Sequence, residues 1–462
     1  MRAKVAGFVA SVAVAVAVSS LLGLRNDQVA SLTVFSSMIL GTLFFWGFRL
    51  AFAFLGLAAL LGLGLLDIAH LIEFAGLDII LFLVGMMIVI GFLEERHFFE
   101  YLVDAVVVRV GNDAYRVTLV MMVMAALSAA LVDEVTSILF MTATMLHLTG
   151  KHKVNPVPFI IMLVFATNIG SSATVVGNPV GVIIALRAGL TFRDFLRWAT
   201  PISMLALAAA VPISLQYFRG DIRKLQEGMK SAPEEAEEEE SETRNESRRG
   251  LTVSWALFLG TIISLVLHHQ VEELLHLERN SMLLGTAVVA AGIALLLDFR
   301  EARELVERRV DWWTLLFFVM LFASVGTLAY VGVTGVIAQA LLNIPGGSLT
   351  LMVVFILVAA LLSAFMDNVL AVATLVPIVK DLAAYGVQEF PLWWGLLFAS
   401  TFFGNLTLIG STANIVAIGM IERRKLGMVT FIQWIKVGAL VAIPTLALAV
   451  LLLYLQLGLM PP

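Results

Sequence analysis

Leu127-Ser-Ala-Ala-Leu-Val-Asp133-Glu134-Val135-Thr136 and Leu362-Ser-Ala-Phe-Met-Asp367-Asn368-Val369 place carboxylates inside segments otherwise apolar enough to lie in lipid. Each passage is followed, about 40 residues later, by a break rich in Gly, Asn and Thr, at residues 167–179 and 404–414. Charges and broken helices are costly at membrane depth and are seldom found there without a function. One such pair in each half of the chain predicts a secondary transporter whose site lies between two repeats.

The composition is that of a membrane protein. Of 462 residues, 60% are hydrophobic and 14% are charged, and the mean hydropathy is +0.98. Soluble domains contain closer to a quarter charged residues, so we predict an all-α polytopic integral membrane protein. The absence of cysteine excludes disulfides and thiolate metal ligands on this chain. The N-terminal apolar run, which ends near Leu22, is long and followed at once by another, which favours a first transmembrane helix over a signal peptide.

Apolar runs predict thirteen membrane-embedded segments, two of them helical hairpins that enter and leave on one side, and two of them interrupted helices. The hairpins are expected at residues 115–149 and 348–385, and the interrupted helices at 157–189 and 391–422. The remaining segments are 5–23, 29–47, 50–67, 76–93, 197–217, 251–269, 281–298, 312–333 and 429–457.

One acidic linker divides the chain. Residues 234–242 are almost all Glu, a run that repels itself and buries no apolar surface, so residues 218–250 are predicted to form a solvated cytoplasmic loop. The N-terminal membrane repeat is then 1–217 and the C-terminal repeat 251–462.

The two halves resemble each other at a constant spacing. Asp133 and Asp367 are 234 residues apart, and Gly177 and Gly410 are 233 apart. Upstream, the passages beginning Leu77-Asp78 and Val310-Asp311 also match. Each has an Asp at a predicted helix start, where it is expected to cap free N–H groups rather than to bind a ligand.

The acidic passages are the candidate ion-coupling sites. A bare carboxylate cannot remain in hydrocarbon, so it must be protonated, hydrated in a cavity or paired with a cation. A group that alternates among these states can couple H⁺ or Na⁺ movement to transport. The alternative is that these carboxylates face loop water at a hairpin tip. The candidate ion-coupling residues are Asp133, Glu134, Thr136, Asp367 and Asn368.

The two breaks supply the candidate substrate site. Their glycines are also explained by close helix packing, but their Asn, Thr and Ser side chains offer polar atoms for freed backbone groups or for a ligand. The candidate substrate-binding residues are Asn168, Thr174, Gly177, Asn178, Pro179, Asn405, Thr407, Gly410, Ser411, Thr412 and Asn414. Oxygen ligands of this kind suit a hard monovalent cation, so Na⁺ is considered at Asp133, Asn168, Asp367 and Asn405. No cofactor other than Na⁺ or H⁺ is predicted.

Together these passages resemble the ion transporter superfamily, which contains arsenite permeases, citrate transporters, the melanosomal P protein, dicarboxylate/sodium symporters and a sodium/proton antiporter family. Besides the two tips and the two breaks, the resemblance rests on Asp78-Ile-Ile-Leu-Phe-Leu-Val-Gly-Met-Met87 and Asp311-Trp-Trp-Thr-Leu-Leu-Phe-Phe318. The arsenite permease and P-protein branch is the most similar.

The resemblance implies two inverted repeats, each with a re-entrant hairpin and an interrupted helix, in a homodimer that moves in an elevator-like way. It also implies that ions and substrate bind at the hairpin tips and breaks. Two positions depart from the branch. The first tip is Asp133-Glu134 where Asp-Asn is common, and the first break continues Gly177-Asn178-Pro179 without a second Pro and Asn. The additional carboxylate favours a cation or proton site.

We therefore predict an ion-coupled secondary transporter, not an enzyme, that carries a small anion or a neutral oxyacid of the arsenite or carboxylate type. The alternative is a Na⁺/H⁺ antiporter in which the intramembrane carboxylates are themselves the substrate site. An intramembrane aspartyl enzyme using Asp133 and Asp367, or a passive channel, is disfavoured. The predicted partners are the lipid bilayer, the substrate and a second copy of the chain, with no nucleic acid, and the predicted location is a prokaryotic plasma membrane.

Overall fold

The computed structural model describes residues 2–21, 23–230, 248–426 and 429–461, and in these residues it contains helices and no strand. Within that part of the chain, nine helices are long and apolar enough to cross a membrane, and five shorter helices are also apolar. The prediction of an all-α polytopic membrane protein is confirmed.

The described residues form twenty-one helices of seven or more residues each, apart from a short helical segment at 302–309 and several 3₁₀ turns. In chain order they are α1 Arg2–Leu21, α2 Asn26–Phe44, α3 Arg49–Gly62, α4 Ile68–Phe74, α5 Leu77–Glu94, α6 Phe98–Val110, α7 Ala114–Leu131, α8 Glu134–Lys151, α9 Val157–Ser171, α10 Pro179–Ala188, α11 Phe192–Tyr217 (with a π-helical turn at Phe195–Ala199), α12 Arg219–Lys230, α13 Arg248–Leu275, α14 Ser281–Leu297, α15 Trp312–Tyr330, α16 Val333–Leu342, α17 Gly347–Phe365, α18 Asn368–Ala384, α19 Phe390–Phe403, α20 Thr412–Arg423 and α21 Phe431–Gln456. The short helices α4, α6 and α16 were not predicted as separate elements.

Both predicted hairpins are present, and their tips lie at the acidic passages. The first hairpin is α7 and α8, and the Asp133 carboxylate between them accepts hydrogen bonds from the backbone N–H groups of Val135 and Thr136, each at 3.1 Å. The second hairpin is α17 and α18, and Asp367 accepts from the Val369 N–H at 3.0 Å. Each aspartate therefore begins the second helix of its hairpin as an N-cap.

The two ends of each hairpin lie near the same neighbouring helix. The Ala114 N–H, at the start of the first hairpin, donates to Gln226 of α12 at 2.8 Å, and a Cβ at Gly228 of α12 would lie 2.9 Å from the carbonyl oxygen of His152, just past the end of the hairpin. The second hairpin follows α16 directly, and Tyr385 at its end accepts from Gln339 of α16 at 2.9 Å. This geometry suits segments that enter and leave on one side, while the inverted relation of the repeats stays a prediction.

Both predicted interrupted helices are present as well. The first broken helix is α9 and α10, joined through a 3₁₀ turn at Val175–Gly177, and the second is α19 and α20, joined through a 3₁₀ turn at Gly404–Leu406. A Cβ at Gly177 would lie 2.1 Å from the carbonyl oxygen of Ser171. The chain can fold back this closely at the break only because glycine has no side chain.

The predicted solvated loop at 218–250 is wrong over its first part, because Arg219–Lys230 forms the helix α12. Ile222, Leu225 and Met229 are buried, and their three- and four-residue spacing places them on one face of the helix. That apolar face packs against the membrane-embedded helices. The many charged residues of the segment did not indicate this packing. The acidic run at 234–242 lies outside the described residues, so the domain division stays a prediction.

Of the two predicted aspartate caps, one is confirmed and one is wrong. Asp311 caps α15 by accepting from the N–H of Thr314 at 3.1 Å. Asp78 instead forms a two-point ion pair with Arg187 of α10, at 2.7 and 3.1 Å. The partner is 109 residues away, so the local pattern favoured a cap while the tertiary fold supplied a stronger, charged donor.

Candidate functional site

Four helix N-termini come together at a buried cluster of polar side chains. The helices are α8 and α18 from the hairpins, and α10 and α20 from the broken helices. Their N-cap residues are Asp133, Asn178, Asp367 and Ser411. Because a helix N-terminus carries about half a positive elementary charge, this convergence favours negative charge, part of which the Asp133 and Asp367 carboxylates supply.

Glu134 lies where these helix starts meet. Its side chain is buried, with the residue 1% exposed. Its carboxylate accepts hydrogen bonds from Ser171 Oγ at 3.2 Å, Asn368 Nδ2 at 3.3 Å and Ser411 Oγ at 3.5 Å. All three donors are neutral and each comes from a different helix or break, so one carboxylate joins the first broken helix, the second hairpin and the second broken helix.

The asparagines of the two breaks bond directly to each other. Asn168 Nδ2 donates to Asn405 Oδ1 at 2.7 Å and to Asn414 Oδ1 at 2.8 Å, and Asn168 Oδ1 lies 2.9 Å from Ser411 Oγ, whose one proton is shared between Asn168 and Glu134. Asn414 in turn donates to the carbonyl oxygens of Gly404 and Thr407, at 2.9 and 2.8 Å. Backbone groups freed by the second break are thus satisfied within the protein, as membrane depth requires.

The second tip is bonded to the second break, whereas the first tip faces a cavity. Asp367 accepts from Thr412 Oγ1 at 2.5 Å. A cavity of about 60 Å³ is lined by Asp133 and Thr136 of the first tip together with Asn178 and Pro179 of the first break. The tip residues predicted for ion coupling therefore lie beside residues predicted for substrate binding.

Four predicted substrate residues have structural contacts that account for their type. Thr174 donates to the carbonyl of Ala130, and Thr407 donates to the carbonyl of Ala364, so each threonine ties a break to the first helix of the adjacent hairpin. Gly177 and Gly410 permit the close backbone approach at each break, since a Cβ at Gly410 would lie 2.5 Å from the Gly404 carbonyl oxygen. Substrate contact by these four residues stays a prediction.

Several residues near the site were not predicted from the sequence. Ser171 donates to Glu134 and also accepts from Asn178 Nδ2 at 2.7 Å. It is three residues after Asn168 on one helix face, a spacing that identifies it as a neighbour. Glu94 and Arg309 line the cavity beside Asp133, and Arg49 lies within electrostatic range of Asp367. No local signal connects these last three residues to the tips, because their contacts are made across the fold.

Replacing Asn168 with Ala should lower the free energy of unfolding by about 2–6 kcal/mol, since two buried acceptors lose a donor and each loss costs roughly 1–3 kcal/mol. Thermal unfolding in detergent measures this. Thr144→Ala is the control, because the Thr144 hydroxyl donates to the Phe140 carbonyl within its own helix. If both variants unfold at the wild-type temperature, the asparagine cluster does not hold the two breaks together.

Hairpins and broken helices that meet at a buried polar site within an apolar helical protein are features of membrane transporters. The chain belongs to the citrate transporter family, whose profile matches residues 42–399 and 337–460. This agrees with the resemblance seen in the sequence, since the citrate transporters are part of that superfamily.

Individual relatives support this assignment. An uncharacterised transporter of Mycobacterium tuberculosis is 35% identical over 384 residues, which cover 82% of this chain and 86% of the relative. The P protein of Homo sapiens is 25% identical over 457 residues, covering 83% of this chain and 54% of that protein. The crystal structure of the YdaH transporter of Alcanivorax borkumensis superposes with a TM-score of 0.59 at 15% identity, covering 85% of this chain and 87% of that one, and so shares the fold.

Proposed function

We propose that this integral membrane transporter is an ion-coupled secondary active transporter of a small anion or a neutral oxyacid, and that Glu134 carries the coupling cation, H⁺ or Na⁺. The observation that supports this is the buried Glu134 carboxylate at the meeting point of four helix N-termini. Asp133 and Asp367, at the two tips, are the additional ion-coupling groups.

The coupling follows from charge balance in a water-poor site. While Glu134 is ionised, its negative charge balances the positive potential of the helix N-termini. Protons or Na⁺ ions that neutralise Glu134 and the two tip aspartates leave that potential free for a substrate anion. Each ligand then favours the binding of the other, and such linkage is reciprocal and typically amounts to about 5–150-fold in affinity.

The polar amides and hydroxyls around Glu134 suit an oxygen-rich substrate. The groups of Asn168, Asn405 and Asn414 are bonded to one another, and they can exchange these partners for a ligand with little net loss of hydrogen bonding. A neutral oxyacid such as arsenite requires no counter-charge, whereas a carboxylate substrate would use the helix N-termini.

The alternative is a Na⁺/H⁺ antiporter. Its support is that all three donors to Glu134 are neutral, so the carboxylate is available to exchange one cation for another. In this mechanism Glu134, Asp133 and Asp367 are the substrate site, and the asparagine cluster positions them.

The deciding experiment uses purified protein in proteoliposomes with a trapped pH dye, to which Na⁺, Li⁺, arsenite, citrate and dicarboxylates are added in turn. A response that requires arsenite or a carboxylate supports the permease. A pH change driven by Na⁺ or Li⁺ alone, and lost in Asp367→Asn, identifies the antiporter and contradicts anion transport. Flux that persists unchanged in Asp367→Asn, without dependence on a cation gradient, would identify a channel.

We also propose an elevator-like movement and a dimeric assembly. In an elevator-like mechanism, the hairpins and broken helices move together against helices such as α5, α14 and α15. A close crossing of α5 and α14 is compatible with a rigid scaffold, since a Cβ at Gly85 would lie 2.8 Å from the Ala287 carbonyl oxygen. A homodimer in a prokaryotic plasma membrane, and a function other than catalysis, are proposed from the family of transporters to which the chain belongs.

A further inference from the structure

The cavity at the first hairpin tip has a mouth formed by a helix outside the hairpins and breaks. Glu94, at the end of α5, lines the cavity together with Asp133 and Thr136. The Glu94 side chain is 25% exposed, so the cavity reaches from a partly exposed carboxylate at α5 to the carboxylate at the tip. Its volume of about 60 Å³ accommodates a partly hydrated monovalent cation, because one water needs roughly 10–15 Å³ by the same measure.

Arg309 is fixed across this mouth. Its guanidinium forms ion pairs with Glu94 at 3.1 Å and with Glu95 at 3.2 Å, and Arg309 also lines the cavity. The aliphatic part of the side chain crosses α5 at Gly91, where a Cβ would lie 2.6 Å from Arg309 Cβ and 2.7 Å from its Cγ. Gly91 therefore allows the arginine to lie flat against α5 with its charge beside Glu94.

We propose that Glu94 is the access site for the coupling cation, which it attracts from solvent and passes across the cavity to Asp133, and that Arg309 tunes this attraction as the opposing charge. This inference rests on the proposed function, because it supplies the route by which a cation reaches the tip. The charged groups that face Glu94 are Arg309, Asp133 and Glu100.

Charged groups close to the cavity govern cation binding there. A cation in the cavity would lie between two carboxylates, Glu94 and Asp133, and beside the Thr136 hydroxyl, which are hard oxygen ligands. Arg309 opposes its binding but is shared with Glu95, so its charge is only partly directed at Glu94. Removing Glu94 and removing Arg309 must therefore change the apparent affinity for the cation in opposite directions.

The test measures binding and transport separately. Thermal stabilisation of the purified protein by Na⁺, by Li⁺ and by lowered pH reports cation binding without transport, and the proteoliposome assay reports the half-saturating cation concentration. In Glu94→Gln we expect that concentration to rise about tenfold, the equivalent of one pH unit if the cation is H⁺. In Arg309→Gln we expect a shift of similar size to lower concentration. Comparison of the shifts measured with Na⁺, Li⁺ and H⁺ identifies which cation Glu94 attracts.

Glu95→Gln is the matched control, because Glu95 pairs with the same arginine but does not line the cavity. It should raise the half-saturating concentration by much less than Glu94→Gln does, because it acts only through the charge of Arg309. Equal shifts in Glu94→Gln and Glu95→Gln, or shifts of the same sign in Glu94→Gln and Arg309→Gln, would overturn the inference. If the wild type responds to a cation, Glu134→Gln loses that response and Glu94→Gln matches the wild type, the access site alone is refuted. A wild type that responds to no cation refutes the proposed function itself.

Discussion

Glu134→Gln should abolish the dependence of transport on the coupling cation. Gln has nearly the shape of Glu but no charge, so it can neither bind a proton in the relevant range nor attract Na⁺. The expected loss is the whole cation stimulation, about 5–150-fold for typical coupling free energies. The proteoliposome assay, run with and without a cation gradient, measures it.

The same variant should remain folded. A buried carboxylate costs several kcal/mol of desolvation, and Gln removes that cost while keeping a side-chain oxygen for Ser171 or Ser411. We therefore expect an unfolding temperature equal to or above that of the wild type. Asp113→Asn is a control for charge removal in general, since Asp113 lies at the exposed start of α7. If Glu134→Gln is folded and still shows full cation stimulation, Glu134 is not the coupling group.

Gly177→Ala should destabilise the protein by about 3 kcal/mol or more and abolish transport. The added methyl group would lie 2.1 Å from the Ser171 carbonyl oxygen and 2.8 Å from its carbon, both backbone atoms that cannot rotate away. Overpacking of this kind typically costs about 1–3 kcal/mol even where side chains can adjust. Here the break must open, which separates Asn178 from Ser171 and removes a neighbour of Glu134.

Gly292→Ala is the control for the same chemical change. Gly292 lies in the middle of α14 and a Cβ there would meet no atom within 4 Å. Alanine is the better helix former by roughly 0.5–1 kcal/mol, so this variant should be as stable as the wild type or slightly more stable. Thermal unfolding and the transport assay compare the two. A Gly177→Ala protein with wild-type stability would show that the break is not held by this close contact.

The positions of the tips and breaks were predictable because their signals are local. A carboxylate in an apolar run, and Gly with Asn and Pro in another, contradict an uninterrupted membrane helix at those residues themselves. Asp133 and Asp367 accordingly cap the second helix of each hairpin. Asn178 and Ser411, which cap α10 and α20, are 233 residues apart, the same spacing as Gly177 and Gly410.

The partners across the two halves were not predictable. Glu134 and Asn368 occupy equivalent positions, 234 residues apart, and they bond to each other. Asn168 is not at the position equivalent to Asn405, yet it donates directly to it. Asp78 was expected to cap its own helix and pairs with Arg187 instead. In each case the local sequence pattern identifies a polar group that needs a hydrogen-bond or ion-pair partner. It does not identify the residue that acts as that partner.

The sequence by itself determined that this is a helical membrane protein with two acidic hairpin tips and two broken helices, because hydropathy, helix breaking and the cost of buried charge act over a few neighbouring residues. The tertiary structure decided that Glu134, rather than Asp133 or Asp367, lies where the four helix starts meet. It also decided that Glu94 and Arg309 lie at the mouth of the cavity beside Asp133. These contacts join segments tens to hundreds of residues apart, and only the packing of the helices brings such segments together.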